Sequence, residues 1–157
     1  MKKIALFLIC FLVLSQVKAQ EIVPITTGVP FLLVAADARA AGLADQGVAT
    51  SADVFSQQWN PAKYAFSEDK QGFSISYTPY LTDLANDISL GQVTYYNKIN
   101  ERSAFAGSLR YFGFGDIELR ANPNDDPNIV SPNEFALDGS YSLKLSDEFS
   151  MAVAARY

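Results

Sequence analysis

The residue types that most often support catalysis are scarce in this chain. Its 157 residues include one Cys and no His. Without an imidazole, a Ser-His-Asp triad, a Cys-His pair and an HExxH zinc site are all impossible. The single Cys10 can form neither an internal disulfide nor a CxxC site. Hydrolases and proteases of these types, and disulfide-stapled folds, are therefore excluded.

Carboxylates are the remaining candidates for chemistry, and several lie in one Asn- and Pro-rich region. Asp125 and Asp126 could supply oxygen ligands to Ca2+, but their spacing fits no EF-hand. A solvated turn is the favoured interpretation of this pair. Glu118 could work with Asp116 or Glu134 as a hydrolytic carboxylate pair, although nothing in the sequence sets their separation. We therefore predict no enzyme activity, no catalytic residue, no metal site and no cofactor.

The first nineteen residues have the pattern of an export signal. Lys2 and Lys3 precede an unbroken apolar run over residues 4–14, and small residues stand three and one positions before Gln20. This order is typical of a secretory signal peptide. The apolar run is too short to span a bilayer as a helix. We predict that residues 1–19 are a signal peptide that is cleaved before Gln20.

Removal of the leader leaves a strongly acidic chain. The loss of three lysines leaves 9 basic against 17 acidic residues, a net charge of −8. Nucleic-acid binding depends on clustered basic residues, so nucleic acid is excluded as a partner. Hydrophobic residues make up 49% of the sequence and charged residues only 18%. This composition is apolar for a small soluble domain and indicates a second apolar surface.

Beyond residue 72 apolar and polar residues alternate. Phe73, Ile75 and Tyr77 alternate with Ser and Thr, and similar alternation recurs further along the chain. Alternation of this kind is typical of strands with one apolar and one polar face. We predict five consecutive antiparallel strands, at residues 73–80, 88–98, 103–114, 135–145 and 149–157.

The connections between these strands alternate in length. Residues 99–102 and 146–148 form tight turns, whereas residues 81–87 and 115–134 form longer loops. Short turns at one end and long loops at the other are typical of outer-membrane barrels, as are aromatic residues near the strand ends. We therefore predict an all-β fold, with the first strands of an antiparallel transmembrane β-barrel over residues 73–157, in preference to a soluble β-sandwich.

Five strands are too few to close a barrel, which needs an even count of at least about eight. We therefore expect the chain to be the N-terminal part of a longer protein. The alternation also fixes which side chains point inward, because a one-residue slip would exchange the two faces. In the fourth strand Leu137 and Leu143 face lipid, whereas Asp138 and Lys144 face the interior. There we expect mutual neutralisation among four charged side chains, Arg110, Asp138, Lys144 and Arg156.

Residues 20–72 lack strand periodicity and indicate an irregular segment with one or two short helices. Pro61 keeps Asn60 out of the helical region and can itself begin a helical turn. Trp59 would pack this turn against an inner wall. We predict that residues 20–72 form a plug, with Trp59, Asn60 and Pro61 as its candidate anchors. A purely structural anchor is favoured over a movable gate.

Two stretches of this segment resemble a known family. Residues 39–53, RAAGLADQGVATSAD, followed by residues 59–66, WNPAKYAF, resemble the N-terminal segment of FadL-like outer-membrane proteins. They are more similar still to the PorV and PorQ proteins of the type IX secretion system. The resemblance implies a barrel of about fourteen strands, with the N-terminal segment folded back as a plug in the lumen.

The resemblance also implies a location in the cell outer membrane and a role in protein secretion. Proteins of this family collect cargo that bears a C-terminal β-sandwich signal domain and hand it to a cell-surface attachment complex. The implied partners are secreted cargo, other secretion-system components and outer-membrane lipid, and Asp125 and Asp126 mark a candidate external binding loop. The alternative is a FadL-type transporter that passes hydrophobic molecules through the same architecture.

Overall fold

The computed structural model describes residues 28–82, 87–120, 122 and 126–157. The predicted signal peptide, residues 1–19, and the candidate Asp125 lie outside these residues. The described chain begins with short helices and continues as strands. The helices are a 3-10 helix at Pro30–Leu33, α-helices at Ala38–Gly42 and Ser56–Trp59, and a second 3-10 helix at Pro61–Phe66. None of these short helices has the length or the apolar run needed to cross a membrane.

Seven strands follow in the described part of the chain. They are β1 (Gln71–Pro79), β2 (Ser89–Asn100), β3 (Ser103–Gly113), β4 (Ile117–Leu119), β5 (Asn128–Val130), β6 (Asn133–Lys144) and β7 (Ser150–Arg156). Five of them form one antiparallel sheet in the order β1-β2-β3-β6-β7. The prediction of five consecutive antiparallel strands is confirmed. β4 and β5 pair with each other inside the long loop, and these three-residue strands are too short for alternation to reveal.

The two ends of the sheet differ as the loop lengths predict. At the short-turn end, β2 leads into β3 through Glu101 and Arg102, and β6 leads into β7 through residues 145–149. The Asn100 Oδ1 accepts hydrogen bonds from the backbone N–H groups of Arg102 at 2.8 Å and Ser103 at 2.9 Å. The long-loop end carries the β1–β2 loop and the β4–β5 hairpin.

The sheet exposes its apolar side chains and buries its polar ones. On β1, Phe73, Ile75 and Tyr77 are 62%, 67% and 70% exposed. The buried polar side chains on the opposite face are Gln92, Thr94, Ser103, Ser108, Arg110, Asp138 and Ser142. A sheet folded in water shows the reverse, with apolar side chains turned inward. In the fourth predicted strand Leu137 is exposed and Asp138 is buried, so these two side chains lie on opposite faces as the alternation predicts.

Residues 31–66, which we call the covering segment, pack on the polar face. Near the long-loop end Phe31 and Ala36 form one core cluster with strand residues, and near the short-turn end Tyr64 forms another. The covering segment therefore crosses the face from one end to the other. β1 and β7 are the two edges of the sheet, which does not close on itself.

Candidate functional site

The candidate site is the polar face of the sheet together with the covering segment. Its local organisation begins at Asn60 and Pro61. Pro61 occupies the first turn of the Pro61–Phe66 helix, where its missing N–H costs nothing. The Asn60 Oδ1 caps this helix by accepting from the backbone N–H of Ala62 at 3.2 Å. Its Nδ2 donates to the carbonyl of Val48 at 3.2 Å. Asn60 therefore joins the helix to the loop that precedes it.

Trp59 reinforces the same junction through packing. A Cβ atom placed on Gly47 would lie 2.2 Å from the Cδ1 atom of Trp59, so only glycine leaves room for the indole ring. The structure thus brings the candidate anchors Trp59 and Asn60 onto one loop, residues 47–51, while Pro61 begins the helix beside them. The packing partner identified for Trp59 is the covering segment itself, whereas the sequence suggested an inner wall.

Lys63 is a further anchor that the sequence analysis did not identify. Its Nζ atom donates to the carbonyl of Gly47 at 2.6 Å, to Thr50 Oγ1 at 3.1 Å and to the carbonyl of Ser51 at 3.5 Å. Burial lowers the pKa of Lys63 below its ordinary value, and Asp53 opposes this shift. The ammonium group of Lys63 thus donates to three oxygen atoms of residues 47–51 and holds this loop in place.

The residues that precede this loop are tied to it as well. The Asp37 side chain caps the Ala38–Gly42 helix by accepting from the backbone N–H of Ala40 at 2.8 Å. Arg39 forms an ion pair with Asp53 at 2.5 Å and donates to Ser51 Oγ at 2.9 Å. Together with the bonds from Asn60 and Lys63, these contacts join the two sequence stretches that carry the family resemblance.

Tyr64 attaches this unit to the sheet. Its hydroxyl accepts from the backbone N–H of Gln57 and donates to the carbonyl of Val54, both at 2.8 Å. Its ring stacks on Tyr96 of β2, with 4.7 Å between the ring centroids. Burial raises the pKa of Tyr64 well above its ordinary value, so the hydroxyl stays neutral and keeps both bonds. Phe66, on the same helix, is 40% exposed.

Hydroxyl groups of the strands bind other parts of the covering segment. Ser76 on β1 donates to the carbonyl of Ala36, and Ser150 on β7 donates to the carbonyl of Ala62 at 2.9 Å. Ser140 on β6 donates to the Gln57 side chain. The polar residues that alternate along the strands thus serve as hydrogen-bonding partners for a segment far away in sequence.

The charged residues of the polar face follow the predicted neutralisation only in part. Asp138 pairs with Arg156 at 2.5 Å and accepts from Ser108 at 3.2 Å. Lys144 instead pairs with Asp147 in the tight turn at 2.8 Å. Arg110 binds backbone carbonyls of the covering segment. The expected neutralisation is therefore seen between Asp138 and Arg156, whereas Lys144 pairs outside this group and Arg110 is reached by the charge of Asp138 without an ion pair in the described residues.

The described carboxylates of the long loop form no metal-binding group. Asp126 is exposed just before β5, Glu118 pairs with Arg120 at 2.9 Å, and Asp116 accepts from Ser131. In the described ranges no group of three or more acidic side chains is placed to hold a metal ion. The hydrogen bonds of Glu118 and Asp116 go to separate partners, which gives no support to a hydrolytic pair.

Comparison with known families gives one match. Residues 17–157 match the family model described as "Type IX secretion system protein PorV". The match covers nearly all of the chain, including both resembling stretches and all described strands, and its description names a secretion component and no catalytic activity. The search of curated proteins gave no match.

Proposed function

The chain belongs to the PorV family of type IX secretion system proteins, and we propose that it binds secreted cargo proteins at the outer membrane. It would receive cargo with C-terminal signal domains as they leave the translocon and pass them to a cell-surface attachment complex. The observation that carries this proposal is the sheet whose apolar face is exposed while its polar face is covered.

The exposed face supports a location in the outer membrane, to which residues 1–19 would direct the protein. Apolar area in water is unfavourable by roughly 25 cal/mol per Å2, a cost that disappears when the same area faces lipid tails. The large side chains exposed on this face include Phe73, Ile75, Tyr77, Leu109, Tyr111, Leu137, Tyr141 and Val153. Aromatic residues lie toward both ends of the strands, as membrane interfaces favour. Residues 73–157 would then be the first strands of a barrel.

The covering segment supports the assignment of residues 20–72 as a plug. A polar face turned away from lipid needs hydrogen-bonding partners, and in the described structure helices, carbonyls and side chains of residues 31–66 supply them. Trp59, Asn60 and Pro61 hold the plug's own loop together. Tyr64 and the strand hydroxyls fix this unit to the wall.

The same face favours cargo binding over transport of hydrophobic molecules. A passage for such molecules would be lined with apolar side chains, whereas this face carries Gln92, Thr94 and Arg110. The β4–β5 hairpin, with Ile117, Leu119 and Ile129 exposed, extends from the long-loop end. We assign this loop, including Asp125 and Asp126, to the extracellular side as the cargo-binding surface. Other secretion-system components and membrane lipid complete the proposed partners.

The proposal is tested by purifying the full-length tagged protein from its native outer membrane and measuring two properties. We expect secreted proteins with C-terminal signal domains to co-elute, and the purified protein to give little steady conductance in planar bilayers. An untagged strain is the control for co-elution. A large steady conductance without any retained secreted protein would support the transporter instead.

A further inference from the structure

We propose that residues 31–36 are a strap that opens separately from the rest of the covering segment, with Arg110 as its latch. We call residues 39–66 the lock. This inference goes beyond the proposed function, because it concerns a movement of the segment and holds for any partner. It starts from the different ways in which the strap and the lock are attached to the sheet.

The strap is held by core packing of Phe31 and Ala36 and by three of its backbone carbonyls, of which that of Ala36 accepts from Ser76 on β1. Arg110 on β3 donates through NH1 to the carbonyl of Leu32 at 3.3 Å and through NH2 to the carbonyl of Val34 at 2.5 Å. Gln58 in the lock donates to the same two carbonyls at 3.3 Å and 3.4 Å. Each carbonyl is therefore shared between a charged donor on the sheet and a neutral donor on the lock.

Arg110 depends on the strap for its hydrogen-bond acceptors, while the charges of Asp138 and Asp37 also favour its charged form. Its side chain is fully buried, and in the described part of the chain no carboxylate forms an ion pair with it. The closest candidate on the neighbouring strand, Asp138, is already bound to Arg156 and Ser108. The Nε atom of Arg110 is buried without an acceptor. The strap carbonyls are thus the acceptors that compensate a buried charge, which is a strong but replaceable interaction.

One aromatic residue of the strap, Phe31, also lies against this arginine. Phe31 stacks on Phe112 with 6.1 Å between the ring centroids, and the Arg110 guanidinium lies over the Phe31 ring at 5.8 Å. If water or another acceptor reached Arg110, the carbonyls of Leu32 and Val34 would keep only the neutral donor Gln58, and the strap would be held to the sheet mainly by the bond from Ser76 to Ala36 and by the packing of Phe31 and Ala36. The strap would then open while Arg110 stayed solvated.

The lock does not share this dependence. It is fixed by Lys63 in its loop, by the Tyr64–Tyr96 stack and by the bond from Ser150 to Ala62. Arg39 joins the Ala38–Gly42 helix to Asp53 in the same unit. Opening of the strap would therefore bend the chain near Asp37 and leave the lock in place.

The test measures how fast a water-soluble maleimide labels one cysteine in the full-length protein, in which Cys10 is replaced by Ser. Ala36→Cys reports on the strap and Ala65→Cys on the lock, since both alanines are buried. Each reporter is combined with Arg110→Met and with Arg110→Lys, which keeps the charge. The control is Arg120→Met, at the partly exposed residue that follows β4.

We expect Arg110→Met to raise the labelling rate of Ala36→Cys by about tenfold or more, the loss of a charged hydrogen bond being worth at least that factor. Arg110→Lys should give a smaller increase, and Arg120→Met and all Ala65→Cys combinations should show none. Equal increases at both reporters would mean general unfolding and overturn the strap, as would no increase at Ala36→Cys. If Arg110→Met does not accumulate, the same criteria apply to Arg110→Lys.

Discussion

Gly47 is the residue on which the anchors of the covering segment converge. Its Cα position leaves room for the Trp59 ring, and its carbonyl accepts from Lys63. The neighbouring Val48 carbonyl accepts from Asn60. A side chain added at Gly47 would therefore disturb the loop that Trp59, Lys63 and Asn60 contact.

Gly47→Ala should destabilise the protein, because the added methyl group overlaps the Trp59 ring. Overpacking of this kind typically costs about 1–3 kcal/mol. Gly139→Ala is the matched control, since a Cβ atom there meets nothing within 4 Å. The measurement is the urea midpoint of unfolding of both variants in detergent. Equal midpoints for the two variants would show that the Gly47–Trp59 contact carries no stability.

Tyr64→Phe should lower stability and change its dependence on pH. The variant leaves the Gln57 N–H and the Val54 carbonyl without their partner, at a cost of about 1–3 kcal/mol. Burial raises the pKa of Tyr64 above its ordinary 10.0, so the folded state keeps a proton that the unfolded chain releases. The stability from this group is complete below that value and declines as pH rises beyond it.

The urea midpoint of the parent protein should therefore fall more between about pH 8 and about pH 11 than that of Tyr64→Phe. Tyr77→Phe is the control, because the Tyr77 ring is 70% exposed on β1. A parallel decline in the parent protein and Tyr64→Phe would contradict the buried, proton-holding role of this hydroxyl.

At the scale of elements, the strands and their faces could be predicted from sequence, because alternation with period two is a local property. The tight turn after Asn100 is equally local. The contact of Arg110 with Leu32 joins residues 78 positions apart, and no local pattern indicates it. Four short helices occur in residues 28–72, the described part of this segment, where one or two were expected, because 3-10 turns such as Pro30–Leu33 carry little periodicity. Of the site, the junction at residues 59–61 was identifiable through Pro61 and its neighbours, and the inward charges, including the Asp138–Arg156 pair, through alternation.

The orientation of the sheet predicts different effects for one substitution at two equally exposed leucines. Leu109 on β3 is 46% exposed and Leu119 on β4 is 51% exposed. Leu109→Arg would place a charge in lipid, at a cost of about 2–4 kcal/mol near the midplane. Leu119→Arg, in the hairpin beyond the sheet, should change stability by no more than about 0.5 kcal/mol. Folding titrations in lipid vesicles measure the folding free energy of both variants. Equal small changes would argue for a water-exposed sheet.

At the scale of the whole molecule, the sheet and the covering segment have complementary hydrogen-bonding and packing surfaces. The sheet offers a row of hydroxyls and charges that need partners, and the segment offers carbonyls and aromatic rings that need a wall. Phe31 meets Phe112 at one end of the face and Tyr64 meets Tyr96 at the other. The proposed function assigns cargo to the long-loop end because Ile117, Leu119 and Ile129 of the β4–β5 hairpin are exposed there.

The most direct test of cargo binding is photo-crosslinking in cells of the native host during active secretion. A photoreactive phenylalanine replaces Ile129 in β5 or Ile99 at the short-turn end, residues that are 59% and 57% exposed. We expect adducts with secreted proteins from position 129 and none from position 99. Adducts from position 99 alone, or no adduct with a secreted protein from either position, would contradict the proposed function.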